Sequence, residues 1–266
     1  MVGEKYTKRQ LWICGDIHGE LSGLVRNAVN RGISCADILV VGDFGAGFGR
    51  PKSMDVAYGK AHAALEKNDI CIYTIRGNHD DPAFFDGKHD FERLHFLPDH
   101  CIIELCGKRI YPVGGAVSAD IDLVDPLSRK SRRMVNDSLI KFGSSKRVWW
   151  TDEAPSTGSA PSTGSAGSPT GTPEGVDIVV SHEAPLSFDP SLMRVDHVRD
   201  ETWLKIVESR KYLDYVLRTV KPALWFYGHY HCHYEGEVVF AAKNGEEAPR
   251  KTHYQCLDIA EMTRVV

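Results

Sequence analysis

The chain has 266 residues, 42% of them hydrophobic and 26% charged, which is the balance of a globular protein with one large domain or two small ones. A formal net charge of −4 gives no global sign of nucleic-acid binding. Apolar runs fall short of the roughly 20 residues of a membrane span, and the polar first ten residues predict no secretory signal, so we expect a cytoplasmic protein.

The first half of the chain alternates between predicted strands and helices. Short apolar segments rich in β-branched residues predict buried strands at 11–14, 38–41 and 70–75. Apolar residues at helical spacing predict helices over 20–31 and 54–67, the second with Val56 on its inward face. This alternation favours an α/β sheet, and ligands bind beyond the carboxyl ends of such strands.

The second half contains more strands and one long helix. A hairpin is predicted over 101–105 and 109–113. An amphipathic helix is predicted over 201–220, before Pro222. The remaining apolar segments predict strands at 176–180, 223–227, 238–242 and 252–259.

Two polar segments interrupt this pattern. Residues 154–173 contain the sequence Ala-Pro-Ser-Thr-Gly-Ser-Ala twice and no large apolar residue, which predicts a flexible segment. We interpret it as an insertion, natural or engineered, within a single domain of residues 1–266. The segment 118–150 is the predicted lid, because 129–147 is strongly basic. That charge is either a solvated surface or a lid whose Arg132 or Arg133 reaches a substrate phosphate.

Five predicted strands each end in residues that can bind a metal ion. The clusters are Gly15-Asp16-Ile17-His18-Gly19, Gly42-Asp43, Gly77-Asn78-His79-Asp80, Ser181-His182-Glu183 and Gly228-His229-Tyr230-His231. One such cluster is usually a turn, but five in one chain indicate a shared site. Asp-x-His and His-x-His each place two side chains on one side of an extended segment. Carboxylate, imidazole and amide oxygen together suit Mn, Fe or Zn, and Asp43 is the natural carboxylate to bridge two ions.

The order of these motifs resembles the calcineurin-like metallophosphoesterase superfamily, across residues 15–231. The resemblance implies a four-layer α/β/β/α sandwich of two mixed sheets flanked by helices, with a dinuclear metal site at the carboxyl ends of the strands. It also implies two divalent ions, with Mn favoured and Fe, Zn, Ni, Co or Mg as alternatives. One ion would be held by Asp16, His18 and His231, the other by Asn78, His182 and His229, with Asp43 bridging both.

Such a centre implies a metal-dependent phosphoesterase that hydrolyses a phosphomonoester or phosphodiester of a small molecule or nucleotide. A hydroxide held between the ions would attack phosphorus, and the ions would stabilise the developing charge. The resemblance places His79 beside the phosphate, as general acid or hydrogen-bond donor, with Asp80 orienting it. A purely structural role near the metals is the alternative for His79.

Departures from the superfamily pattern narrow the alternatives. Ala46 stands where the phosphoprotein phosphatases carry a carboxylate, and their phosphate-binding arginine is missing, which argues against a protein phosphatase. A nuclease would need a basic groove, so nucleic acid is not the favoured partner. A non-catalytic metal-binding scaffold would have lost ligands, whereas every expected position is filled.

Seven cysteines without a Cys-x-x-Cys pair predict reduced thiols, with Cys232 as an alternative metal ligand.

Overall fold

The chain is described here by a computed structural model. Side chains and backbone are described for residues 8–48, 52–119, 155, 173–188, 198–241 and 249–266, and the backbone alone for 132–136, 139–142 and 148–150. Most of the predicted insertion at 154–173 therefore lies outside the described residues. So do the side chains of Arg132 and Arg133 in the predicted lid.

The elements follow one another much as the apolar segments predict. The first part of the chain contains β1 (Gln10–Cys14), α1 (Leu21–Asn30), β2 (Ala36–Val40), α2 (Ser53–Lys67), β3 (Ile70–Thr74), a 3-10 turn (Pro82–Phe85) and β4 (Leu94–Phe96). The second part contains β5 (Ile103–Leu105), β6 (Lys108–Val113), β7 (Arg132–Asn136), β8 (Leu139–Phe142), β9 (Val148–Trp150), β10 (Ile178–Ser181), α3 (Asp200–Val220), β11 (Leu224–Tyr227), β12 (Tyr234–Phe240), β13 (Arg250–Cys256) and β14 (Met262–Arg264). The short strands β4 and β14 have no counterpart in the sequence prediction.

The first sheet has the order β14-β1-β2-β3-β4. Strands β1 to β4 are parallel, and β14 pairs antiparallel with β1, so the sheet is mixed. Strand β2 is buried along its whole length, as expected for a central strand covered on both faces. Ile38 and Val40 pack on the side of α1 and α2, whereas Leu39 and Val41 face the second sheet.

The second sheet has the order β12-β13-β11-β10-β6-β5 and is also mixed. Strands β6, β10, β11 and β13 are parallel, while β5 and β12 form antiparallel edges. Ile178 and Val180 of β10 point to the first sheet, and Val179 points to α3, where it meets Leu213 and Leu217. The helices on the two outer faces and the apolar layer between the sheets give the predicted α/β/β/α sandwich.

Some details differ from the sequence prediction. Val56 is 56% exposed, so its predicted inward position on α2 is wrong; Met54, Ala61 and Leu65 are the buried residues of that helix. The predicted strand at 238–242 begins earlier, at Tyr234, because β12 pairs with β13 along its whole length. The backbone of the predicted lid contains a small antiparallel sheet of β7, β8 and β9.

Among the described helices, none has the length and apolar character needed to cross a bilayer.

The carboxylate of Asp99 joins the two sheets beside the carboxyl ends of their strands. Its Oδ2 accepts a hydrogen bond from Nη2 of Arg76, which follows β3, at 3.0 Å. Its Oδ1 accepts one from the N–H of Gly114, which follows β6, at 2.8 Å. Arg76 is 5% exposed, so this ion pair is shielded from water. A buried pair of this kind is strongly destabilising when one partner is removed, because the other charge remains buried.

We therefore predict that Asp99→Ala lowers the free energy of unfolding by about 3 kcal/mol. Urea unfolding followed by circular dichroism measures this change. The control is Asp86→Ala, which removes the exposed ion pair with Lys88 and should leave the unfolding midpoint unchanged. Equal midpoints for Asp99→Ala and the unsubstituted protein would contradict a stabilising link between the sheets.

Candidate metal centre

The carboxyl ends of strands from both sheets meet at one edge of the sandwich. In the first sheet β1, β2 and β3 are parallel, so the segments that follow them emerge side by side. In the second sheet the same holds for β10 and β11. Two contacts join these groups of segments: His182 Nδ1 lies 2.8 Å from the carbonyl oxygen of Val41, and the N–H of His229 donates to Asp16 Oδ2 at 3.1 Å.

Asp16, His18 and His231 form the first group of potential metal ligands. One ligand atom from each residue lies within 4.8 Å of the others. His231 Nε2 is 3.3 Å from Asp16 Oδ2 and 3.0 Å from His18 Nε2. Hydrogen bonding to Asp16 raises the pKa of His231, whereas burial lowers the pKa of His18. The structure thus brings together the three residues predicted to hold one ion.

The second group consists of Asp16, Asp43 and His182, again with ligand atoms within 4.8 Å of one another. His182 is fully buried, and its Nε2 lies 2.9 Å from Asn78 Oδ1 and 3.5 Å from Asp43 Oδ1. Its other ring nitrogen faces the Val41 carbonyl, which leaves Nε2 as the ring nitrogen that faces Asn78 and Asp43.

His229, the third predicted ligand of this ion, lies slightly apart. Its ring centroid is 5.0 Å from that of His182, and its side chain enters neither group among the described residues. Cys232, the alternative metal ligand, and its neighbour His233 also lie outside both groups there. None of the seven cysteines, all within the described residues, forms a disulfide bond.

Asp43, a member of the second group, also approaches the first group, and Asp16 belongs to both. Asp43 Oδ1 is 3.5 Å from His182 Nε2, and Asp43 Oδ2 is 3.8 Å from His18 Nδ1. Burial alone would raise the pKa of the Asp43 carboxyl, but His182, His79 and His18 lower it below its usual value, helped by a hydrogen bond from the N–H of His79. An ionised carboxylate with one oxygen toward each group has the arrangement of a bridging ligand.

Asn78 is oriented by a neighbour that sequence reasoning missed. Its Nδ2 donates to Ser118 Oγ at 2.7 Å, and both side chains are buried. This contact directs the amide oxygen of Asn78 toward His182. Ser118 lies 40 residues along the chain from Asn78, and nothing in its local sequence indicates the contact.

The backbone at four of the predicted ligands is left-handed. The φ angles are 45° at His18, 45° at Asp43, 70° at His229 and 50° at His231. Residues with a Cβ rarely adopt this conformation, which costs on the order of 1–3 kcal/mol each and is found mostly at functional sites. The surrounding structure must therefore hold these segments in place.

Glycines next to the ligands leave room for carboxylates from other strands. A Cβ atom at Gly228 would lie 2.1 Å from Asp16 Oδ1, and one at Gly77 would lie 2.0 Å from Asp43 Oδ1. The glycine that precedes Asn78 and the one that precedes His229 are thus required by close packing across the site.

The carboxylate of Asp80 contacts the backbone of two segments at the site. It accepts hydrogen bonds from the backbone N–H groups of Phe44, Gly45, Ala46 and Gly77, at 2.7 to 3.0 Å. These contacts run to the backbone and not to the imidazole of His79, so the orientation of His79 by Asp80 stays a prediction. Asp80 orders the loop that follows Asp43 and joins it to the segment that carries His79.

His79 lies beside the candidate ligands and in neither group. Its backbone N–H donates to Asp43 Oδ1 at 3.0 Å, and its ring centroid is 6.5 Å from that of His18. The side chain is partly exposed, whereas Asn78 and Asp80 on either side are buried. This placement leaves the imidazole accessible to a molecule that enters the site.

Glu183, which is buried, and Tyr230, which is partly buried, are further groups at the site without an assigned role in the sequence prediction. The hydroxyl of Tyr230 donates to Glu183 Oε1, which also accepts the N–H of Ala184 at 2.8 Å. Burial, together with the Glu183 carboxylate, raises the pKa of Tyr230 well above its usual value, so the hydroxyl stays protonated at neutral pH. Their positions inside the His182 and His229 clusters were the only sequence signal.

Comparisons with known proteins agree with this arrangement. The family described as calcineurin-like phosphoesterase matches residues 9–233, and the chain therefore belongs to that family. A UDP-2,3-diacylglucosamine hydrolase of Aeromonas salmonicida (strain A449) is 33% identical over 117 residues. That match covers 42% of this chain and 44% of the relative, so it spans less than half the length of either protein.

The close approach at Gly228 gives a direct test of the site. Gly228→Ala should displace Asp16 and weaken Mn²⁺ binding by at least about 10-fold, the usual lower bound when the support of a metal ligand is disturbed. Titration of the metal-free protein against a fluorescent chelator measures the affinity.

The matched control for this substitution is Gly59→Ala. Gly59 lies in α2, and a Cβ there would meet nothing within 4 Å, so Mn²⁺ affinity should not change. The helix should gain about 0.5–1 kcal/mol of stability from this substitution. Unchanged affinity in Gly228→Ala would show that Asp16 is not a metal ligand.

Proposed function

We propose that the protein is a metal-dependent hydrolase that cleaves a phosphomonoester or phosphodiester of a small molecule or nucleotide. The observation that carries this proposal is the position of Asp43, whose two carboxylate oxygens lie near different groups of potential ligands. Such sharing suits a pair of cations held side by side, and paired divalent cations are typical of enzymes that act on phosphate esters.

The residues present fit divalent ions. Carboxylates, imidazoles and one amide oxygen are the donors that Mn²⁺, Fe²⁺ and Zn²⁺ accept, and we favour Mn²⁺. Asp16, His18 and His231 would hold one ion, and Asn78, His182 and His229 the other, with Asp43 between them. When bound, such ions supply activation of water and neutralisation of phosphate charge.

We propose His79 as the catalytic residue that contacts the substrate. The hydrogen bond from its N–H to Asp43 fixes its backbone, and its imidazole is partly exposed beside His18. From there the imidazole can donate a proton to the leaving-group oxygen, or donate a hydrogen bond to the phosphate. Asp80 supports this role indirectly, because it joins the loop after Asp43 to the segment that carries His79.

The relative from Aeromonas salmonicida supplies a second candidate substrate class. By its name that protein hydrolyses UDP-2,3-diacylglucosamine, a nucleoside diphosphate derivative. Because the match covers 44% of that relative, we carry over only the chemical class, a nucleotide linked through phosphate. A nuclease, a protein phosphatase and a non-catalytic scaffold are less well supported, the last because all seven predicted ligands are present at one edge of the fold.

Removal of the metal tests the proposed function. Protein treated with a chelator and then dialysed should lose hydrolysis of p-nitrophenyl phosphate or bis-p-nitrophenyl phosphate, and added Mn²⁺ should restore it. The same assay on nucleotides and a nucleoside diphosphate sugar separates the substrate classes. Hydrolysis that persists after complete chelation would contradict metal dependence.

Substitution separates the roles of Asp43 and His79. Asp43→Asn should release metal and abolish turnover, since it removes the charge shared by both groups. His79→Ala should lower kcat by about 10²–10⁴-fold, the range for loss of a general acid, while metal content stays near that of the unsubstituted protein. Metal content by mass spectrometry and steady-state kinetics provide the two readouts.

The control for this pair is His62→Ala, which alters an exposed histidine paired with Glu92 and should change neither readout. If His79→Ala empties the site of metal, His79 belongs among the ligands and not beside the substrate.

A further inference from the structure

A partly buried hydrogen bond connects the two ligand-bearing segments of the second sheet. Glu183 directly follows His182 after β10, and Tyr230 lies between His229 and His231 after β11. The Tyr230 hydroxyl donates to Glu183 Oε1, and Glu183 is only 1% exposed. Tyr230 therefore anchors the segment that carries two predicted ligands to the segment that carries a third.

The segment around Tyr230 needs such an anchor. His229 and His231 both have left-handed backbone conformations, with φ angles of 70° and 50°. Two residues in this conformation so close together are unfavourable relative to relaxed backbone. Such strain persists only when neighbouring contacts determine the conformation. The Tyr230 side chain lies between the two strained residues, where an anchor acts on both.

The segment that carries Glu183 is itself held by the long helix on the outer face. Arg210 of α3 is 1% exposed, and its Nη2 donates to the carbonyl oxygens of Pro185 and Leu186 at 3.4 and 3.5 Å. The N–H of Leu186 in turn donates to the carbonyl of Arg210 at 3.2 Å. Glu183 is thus a fixed acceptor, and not one that moves to follow Tyr230.

We propose that Tyr230 and Glu183 are positioning residues of the metal centre, whose hydrogen bond holds the His229–His231 segment in its left-handed conformation and so sets the affinity for divalent ions. This inference rests on one part of the proposed function, namely that the centre binds divalent ions. Tyr230 acts through the backbone of the two histidines, so its contribution lies in metal retention and not in contact with the substrate.

The test is a double-mutant cycle on Mn²⁺ affinity, measured by competition with a fluorescent chelator and without reference to activity. Tyr230→Phe removes a single hydroxyl and should weaken Mn²⁺ binding about 10- to 100-fold, the usual effect of losing a partner that orients metal ligands. Glu183→Ala should weaken it to a similar extent. The double variant should be no weaker than the poorer single variant, because both changes break the same contact.

Two controls distinguish positioning from general damage. Tyr234→Phe removes the hydroxyl of a nearby tyrosine on β12 and should leave the affinity unchanged. Glu183→Gln retains a carbonyl oxygen that can accept from Tyr230 and should recover part of the affinity. If Glu183→Ala does not fold, Glu183→Met, which fills similar space without an oxygen acceptor, replaces it in the cycle. Saturating Mn²⁺ should restore kcat in Tyr230→Phe, which a disordered site would not allow.

Each outcome separates the two proposals. Tyr230→Phe that binds Mn²⁺ like the unsubstituted protein, or single effects that add in the double variant, would overturn the positioning role. An unsubstituted protein that binds Mn²⁺ but hydrolyses no phosphate ester would overturn the proposed function alone. An unsubstituted protein that binds no divalent ion would overturn both.

Discussion

Two buried carboxylates determine the organisation of this site. Asp16 and Asp43 are each 1% exposed. A carboxylate that is ionised and so far from water is strongly unfavourable unless an opposite charge lies beside it. Imidazoles of His18, His182 and His231 surround them within 4 Å. The parallel strands of both sheets make this possible, because their carboxyl ends meet at a single edge. A pair of divalent cations would supply positive charge beside both carboxylates without requiring a proton on the buried imidazole of His18.

The close approach of these groups imposes strain that other contacts offset. The left-handed backbone at several ligands is unfavourable in isolation. Asp80 stabilises the loop after Asp43 through four backbone N–H groups, and Tyr230 holds the segment around His229 through Glu183. These supporting contacts involve protein groups alone, so the site is largely organised by the chain itself.

The sequence indicated where the candidate ligands lie better than it indicated the contacts that support them. An apolar strand that ends in glycine and a residue able to bind metal can be recognised from a short stretch of sequence. Parallel strands bring such ends together, so the seven predicted ligands lie at one edge of the fold. Asp80 and Phe44 are 36 residues apart, and Tyr230 and Glu183 are 47 apart, so no local pattern encodes these contacts. The exposure of Val56 depends similarly on where α2 packs, which periodicity on a short helix does not determine.

The proposed chemistry depends on two ions that share Asp43 at this edge of the fold. Anomalous X-ray diffraction from crystals grown with Mn²⁺ would locate such ions. We expect two anomalous peaks, one beside Asp16, His18 and His231 and the other beside Asn78, His182 and His229, with the Asp43 carboxylate between them. A single peak, or peaks remote from Asp43, would contradict the sharing of Asp43 by two ions.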